Sequence, residues 1–275
     1  MRSVLACAAW GIHETRAAIK GTTRHRRMGG AMSPETDGPV HSPLLDRKRL
    51  YTVALAYRGP RGLVVVQGFF VTGTDTDVGK TVVSAWLVAR LGACYWKPVQ
   101  AGNHPETDSA IMRRLAEVSP ERILPEAYVL PEPIAPHEAA RRAGVTIDMQ
   151  KLVPPQCDRP LVVEGAGGLL VPLTGSAFVI DLARELDLPV ILVTRSTLGT
   201  INHTLLSLEA IRRRGIDLAG VVVNGPETPH NRAAIERFGQ VEIIAEIPWL
   251  DQMTPAALRA IEPELDLDKL AKAAA

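Results

Sequence analysis

Short apolar runs and amphipathic stretches take turns along most of this chain. Val, Leu, Ile and Phe crowd residues 64–71, 93–99, 160–163, 189–194, 218–224 and 241–247. Each run is too short for a buried helix and is mostly apolar, the pattern of a strand covered on both faces. Between and after them, residues 81–91, 108–117, 177–186, 200–214 and 231–238 mix apolar with charged positions and read as helices. Short buried strands alternating with helices predict βαβ units. The expected fold is therefore α/β, a mostly parallel sheet covered by helices in three layers. Ligand-binding groups are expected beyond the carboxyl ends of the strands.

Residues 1–62 break the pattern. They hold 11 Lys+Arg against 4 Asp+Glu, whereas the rest of the chain holds 20 against 26. No sustained amphipathic period runs through them. The Arg-rich, acid-poor start has the character of a targeting peptide, but residues 4–12 are broken by Trp10 and Gly11 and make a poor secretory signal. Residues 1–62 read as a disordered extension, or as translated sequence upstream of a start near 64–66, with the folded body over 63–275. That body is mildly acidic, which gives no basis for nucleic-acid binding. No apolar run reaches the ~20 residues needed to cross a bilayer. Cys7, Cys94 and Cys157 are odd in number and far apart, so neither a disulfide framework nor a metal pair is expected. Cys94 reads as a small core residue, and the cysteine usage suits a reducing cytoplasm.

The chemistry begins where the first strand ends. Gly73-Thr74-Asp75-Thr76-Asp77-Val78-Gly79-Lys80-Thr81 joins that strand to a helix. Strand, glycine-bounded loop and Gly-Lys-Thr at a helix mouth form the context of a phosphate-binding loop. Backbone N–H groups and the positive helix end would hold a polyphosphate such as that of ATP. Lys80 would reach the outer phosphates and the Thr81 hydroxyl would ligate Mg²⁺. A plain turn would account for the two glycines but not for Lys80-Thr81. Five residues separate Gly73 from Gly79, one more than in the common loop.

Other strand ends carry candidate groups. Lys97, in Tyr95-Trp96-Lys97-Pro98-Val99-Gln100-Ala101-Gly102, is a second cation able to meet phosphoryl charge. Asp108 opens a helix, where an acid is favoured by the dipole alone. Glu164 ends the apolar run 161–163 and precedes Gly165-Ala166-Gly167-Gly168, so its carboxylate could hold Mg²⁺ while the glycines let backbone approach a ligand. Asn224-Gly225 and Glu246-Ile247-Pro248-Trp249-Leu250 each follow a strand, and each could be only a turn.

These strings, in this order, resemble the dethiobiotin synthetases, the ATP-dependent ring-closing ligases of biotin synthesis. The loop sequence, the Lys-Pro-Val segment, Asp108, the Val-Glu-Gly-Ala-Gly-Gly string, Ala135-Pro136-His137, Leu198-Gly199-Thr200-Ile201-Asn202-His203 and the two late turns all take part. The resemblance implies a P-loop ligase that turns 7,8-diaminononanoate, CO₂ and ATP into dethiobiotin, ADP and phosphate. It implies catalysis by Lys97 and Lys80, and substrate contact at Lys97 and Ala101. Nucleotide contacts are implied at Thr76, Asp77, Val78, Gly79, Lys80, Thr81, Val82, Asp108, Glu164, Gly165, Ala166, Gly167, Asn224, Gly225, Ile247, Pro248 and Trp249. Mg²⁺ would sit on Thr81, Asp108 and Glu164. It further implies a homodimer in which residues 198–203 meet the substrate of the neighbouring subunit. The family often has Ser or Thr where Ala101 stands, so a hydroxyl contact is lost there. Two rivals are a partitioning-type ATPase, which would carry a lysine early in the loop, and a nucleotide-binding module without catalysis.

Overall fold

The computed structural model describes residues 55–59, 62–103 and 105–267. The chain divides into Met1–Arg47, which lies outside the described residues, and Lys48–Ala275. Most of the expected extension over 1–62 is therefore outside them too. In the second unit, β1 (Leu55–Gly59) pairs antiparallel with β2 (Gly62–Val66), so a hairpin spans the boundary expected at 62/63.

The apolar run 64–71 is not one strand. It breaks at Gln67, and β3 (Gly68–Gly73) begins the main sheet. Gly68 has φ +152°, and a Cβ there would come within 1.8 Å of the Leu161 carbonyl oxygen. Only glycine permits that approach. The chain continues through α1 (Lys80–Leu91), β4 (Cys94–Trp96), β5 (Val99–Ala101), α2 (Asp108–Ala116), β6 (Ile123–Leu124), β7 (Tyr128–Leu130) and α3 (Pro136–Arg142). Then follow β8 (Leu161–Gly168), α4 (Val179–Glu185), β9 (Val190–Arg195), α5 (Thr200–Arg213), β10 (Leu218–Asn224), α6 (Pro229–Gly239), β11 (Ile243–Ile247) and α7 (Pro255–Arg259).

Seven strands form one sheet in the order β11-β10-β9-β3-β8-β4-β6, with every described pairing parallel. The period of two along each strand sends neighbours to opposite faces. Phe70, Val163, Leu192 and Val221 pack with Ile180 of α4, Leu208 of α5 and Ile235 of α6. Phe69, Val71, Val162 and Ile191 pack with Trp86 of α1, Met112 of α2 and Leu258 of α7. This is the expected three-layer sandwich. The order reverses around β3, since the chain runs from β3 to the β4 side and later crosses to β9. A crevice opens at such a switch point, beyond the strand ends.

Two local expectations fail for clear reasons. The run 93–99 divides because Pro98 cannot donate to a ladder. Beyond it β5 leaves the main sheet and pairs with β7. Ala135-Pro136-His137, which the resemblance implies to be a loop near the substrate, is the start of α3, with Pro136 in the first turn where its missing N–H costs nothing. Among the described residues no helix is long and apolar enough to cross a membrane.

The cysteine expectation is also corrected. Cys94 and Cys157, separated by 63 residues in sequence, form a disulfide with Cα atoms 6.7 Å apart. Their spacing hides this because the start of β4 and the segment feeding β8 meet only through the sheet. A cross-link of such a loop stabilises by about 2–4 kcal/mol. Cys157→Ser should lower the denaturant midpoint accordingly without reductant and change little in its presence. Equal midpoints for wild type with and without reductant would show that the pair contributes nothing.

Candidate active site

The loop predicted to bind phosphate leaves the central strand β3 and ends at Gly79, whose φ of +97° only glycine takes without strain. Gly79 is the N-cap of α1 and offers no side-chain cap, so the first-turn N–H groups have no side-chain acceptor. That leaves an anion site at the positive end of the helix. Val78 is buried against Gly73, while Asp75, Thr76 and Asp77 are exposed at the tip and Val82 is half-buried. Lys80 is 7% exposed and donates to the Asp75 carbonyl at 2.9 Å. Burial, reinforced by nearby Lys97, pulls the Lys80 pKa down to about 8. An arriving anion would raise it again.

Three further predicted residues converge on the mouth of α1. Lys97 follows β4, just where Pro98 ends the ladder, and is 3% exposed. Its ammonium lies 2.7 Å from Asp108 Oδ2 and 2.8 Å from Glu164 Oε1. Burial acts to lower the Lys97 pKa, but the two carboxylates outweigh it and hold the group above the usual lysine value. Asp108 opens α2, whose N-cap Thr107 accepts from the Ala110 N–H. Burial opposes its charge too, yet Lys97 leaves its pKa below the ordinary carboxylate value. Glu164 lies inside β8 and is 1% exposed. An unpaired carboxylate at that depth would be costly, so its partners matter.

Thr81 joins the cluster from the helix side. Its Oγ1 lies 2.9 Å from Asp108 Oδ1 and 3.0 Å from Glu164 Oε1. A hydroxyl has one proton and cannot donate to two carboxylates at once. Three hard oxygen donors drawn this close suit a small divalent cation that also takes phosphate oxygens and water. The donor set therefore fits Mg²⁺. Among the described residues no group of three or more His, Cys, Asp or Glu could hold a metal, so the ion would depend on such outside ligands.

The remaining predicted residues divide. Gly165 and Ala166 continue β8, and Gly167, with φ +69°, lies beside Thr76. Asn224 ends β10 and donates from Nδ2 to the Val78 carbonyl at 2.9 Å, which ties the loop to the far side of the crevice. Gly225 donates to the Ile247 carbonyl at 2.9 Å and sits against Trp249, which follows Pro248 and is 76% exposed. Asn224, Gly225, Ile247, Pro248 and Trp249 thus gather at one end of the crevice. Ala101 ends β5, beyond the ion cluster. Leu198 is fully exposed and Gly199 caps α5. The His137 N–H donates to the Pro172 carbonyl, and its side chain is exposed.

Sequence reasoning missed two residues of the cluster. The Tyr95 hydroxyl donates to Glu164 Oε2 at 3.0 Å, and burial with the neighbouring carboxylates pushes its pKa well up. Gln100 accepts the Asp108 N–H at 3.1 Å and donates to the Gly102 carbonyl at 2.7 Å, fixing α2 against β5. Both lie in the string around Lys97, and a polar side chain within an apolar strand was their only signal.

A family model described as an AAA domain matches residues 67–257. Over 198 residues the chain is 55% identical to the ATP-dependent dethiobiotin synthetase of Paramagnetospirillum magneticum, covering 72% of this chain and 96% of that one. The chain belongs to the dethiobiotin synthetase family. The ATP-dependent dethiobiotin synthetase of Afipia carboxidovorans is 51% identical over 191 residues, 69% of this chain and 91% of its own. A ParA family ATPase from Chlorobium tepidum aligns in structure with 70% of this chain and 96% of its own at 10% identity, with a TM-score of 0.46. Both synthetase alignments are shorter than this chain by more than the 54 residues ahead of β1. All the ion-cluster residues of this dethiobiotin synthetase family member fall inside the matched span 67–257.

Proposed function

We propose that this chain closes the ureido ring of dethiobiotin from 7,8-diaminononanoate, CO₂ and ATP, with residues 63–275 carrying the activity. The observation that carries the reading is the Thr81–Lys97–Asp108–Glu164 cluster at the mouth of the phosphate loop, in a chain of this family. One substrate amine adds to CO₂ and loses a proton to give a carbamate. A carbamate oxygen attacks the γ-phosphorus, and ADP leaves. The second amine attacks the carbonyl of the mixed anhydride and loses a proton, phosphate departs with the C–O electron pair, and the cyclic urea is formed.

Carbamate and triphosphate are both anionic, so bringing them together needs fixed positive charge. Lys80 and the first-turn N–H groups of α1 would hold the outer phosphates. Lys97, kept protonated by its carboxylates, faces the same region and would meet the carbamate and the moving phosphoryl group. Mg²⁺ on Thr81, Asp108 and Glu164 would, when bound, offset charge on the terminal phosphates. Asn224, Gly225, Ile247, Pro248 and Trp249 would receive the nucleobase, and Ala101 would face substrate with backbone alone. Fully exposed Leu198 supports a homodimer in which residues 198–203 complete the neighbour's substrate site. An enzyme that consumes ATP in this way fits a cytoplasmic location.

Incubation with 7,8-diaminononanoate, bicarbonate and Mg-ATP should yield dethiobiotin by mass, with one ADP per product. ADP release that ignores diaminononanoate would instead favour a switch ATPase, and ADP binding without turnover would favour a plain nucleotide-binding module.

A further inference from the structure

Arg195 was not part of any motif, yet it lies over the tip of the phosphate loop. It is the last residue of β9, the strand beside β3 on the side away from Glu164. Its Nη2 donates to the Thr76 carbonyl at 2.8 Å and lies 3.3 Å from Asp75 Oδ2. The other oxygen of Asp75, Oδ1, accepts the Thr76 N–H at 2.7 Å. Lys80 donates to the Asp75 carbonyl at 2.9 Å. Asp75 and Thr76 are therefore held between a lysine of the loop and an arginine delivered from another strand.

Two features of the loop make that grip consequential. It carries one residue more than the common loop, and Asp77 within it has φ +56°, a region that non-glycine residues seldom occupy. It also carries two carboxylates, Asp75 and Asp77, around a cradle meant for polyphosphate. Apart from Lys80 the loop has no cation of its own. Negative charge beside an anion site opposes binding unless it is compensated.

We propose that Arg195 is a positioning residue for the nucleotide: it fixes the Asp75–Thr76 turn and cancels the Asp75 charge, so that the loop accepts a nucleoside polyphosphate. The inference rests on the ATP-dependent reading above, and it concerns nucleotide binding rather than ring closure. A planar guanidinium suits the task, since it serves a carbonyl and a carboxylate at once. Arg195 and Asp75 are about half exposed, so screening keeps the effect moderate.

Calorimetric titration of the full chain with Mg-ADP tests this directly. Arg195→Ala should weaken Mg-ADP about fivefold and raise KM for ATP in step, with kcat changed far less, because a half-exposed charged contact is worth at most about that much. Arg195→Lys should recover part of the loss. Adding Asp75→Asn to Arg195→Ala should restore affinity to within about twofold of wild type, since the uncompensated carboxylate is then gone. The loss should also shrink at high salt. Mg-ADP affinity unchanged in Arg195→Ala would overturn the proposal, as would a double variant no better than Arg195→Ala. Wild type that binds Mg-ADP normally but makes no dethiobiotin would count against the ring-closing function and leave this inference standing.

Discussion

Lys97→Gln should slow ring closure by ~10²–10³ while Mg-ADP affinity falls far less. That range is the usual cost of losing one donor aimed at charge that develops in the transition state. The structure gives the lysine no other evident task at the surface, since it is 3% exposed. Its charge is secured from both sides, by Asp108 Oδ2 at 2.7 Å and Glu164 Oε1 at 2.8 Å. A purely structural ion pair would predict a different outcome. Removing one partner of a buried pair commonly destabilises by about 3–5 kcal/mol, and activity would then fall only as the fold is lost. Turnover should therefore be measured well below the melting temperature of the variant, alongside Mg-ADP binding. Folded protein with normal affinity and little turnover is the expected result. Near-normal turnover would return Lys97 to a structural role.

The parts of this site that sequence made legible are those where chemistry is carried by adjacent residues. The phosphate loop, the lysine before Pro98 and the acid before Gly165 each announce themselves within a few positions. In each case a backbone requirement accompanies the reactive group: positive φ at Gly79, a broken ladder at Pro98, close approach at Gly167. Asp108 was ambiguous, because an acid in the first turn of a helix satisfies the dipole whether or not it has a ligand. Its contacts with Thr81 of α1 and Lys97 after β4 bring it into the ion cluster, and they form only when α2 packs beside α1.

What stayed hidden is tertiary. The alternation of strands and helices predicts a parallel sheet but not the order β11-β10-β9-β3-β8-β4-β6, which depends on which crossovers pack best. Tyr95 looks like an ordinary strand aromatic until Glu164 is seen against its hydroxyl. Arg195 follows an apolar strand in the manner of any surface residue, and its 2.8 Å bond to Thr76 joins positions 119 residues apart. The Cys94–Cys157 pair is another such case. The break at Gln67-Gly68 was missed because the apolar residues on either side of it do not reveal that the Leu161 carbonyl lies against Gly68.

Glu164→Gln and Thr81→Ala should each raise the Mg²⁺ concentration needed for nucleotide binding and turnover, and together they should cost less than the sum of the two. The expectation follows from shared geometry: Thr81 Oγ1 lies 2.9 Å from Asp108 Oδ1 and 3.0 Å from Glu164 Oε1, and the two carboxylates compete for its single hydroxyl proton. Groups that act through one ion couple strongly, whereas independent groups add. Glu164→Gln keeps the size of the side chain and removes only its charge. The Tyr95 hydroxyl now donates to Glu164 Oε2; the Gln amide would reverse that bond by donating to the hydroxyl, while the remaining oxygen faces Lys97, so the fold should survive. Thr81→Ala removes one oxygen from the helix mouth and leaves Asp108 and Glu164 with Lys97 between them. The measurement is Mg-ADP affinity and initial rate across a Mg²⁺ series for wild type, both single variants and the double. A shifted Mg²⁺ midpoint in each single variant, with little further shift in the double, supports a common ion. Fully additive losses at an unchanged midpoint would mean that Glu164 serves only to hold Lys97 and Tyr95 in place, and the metal would have to be sought on other oxygens.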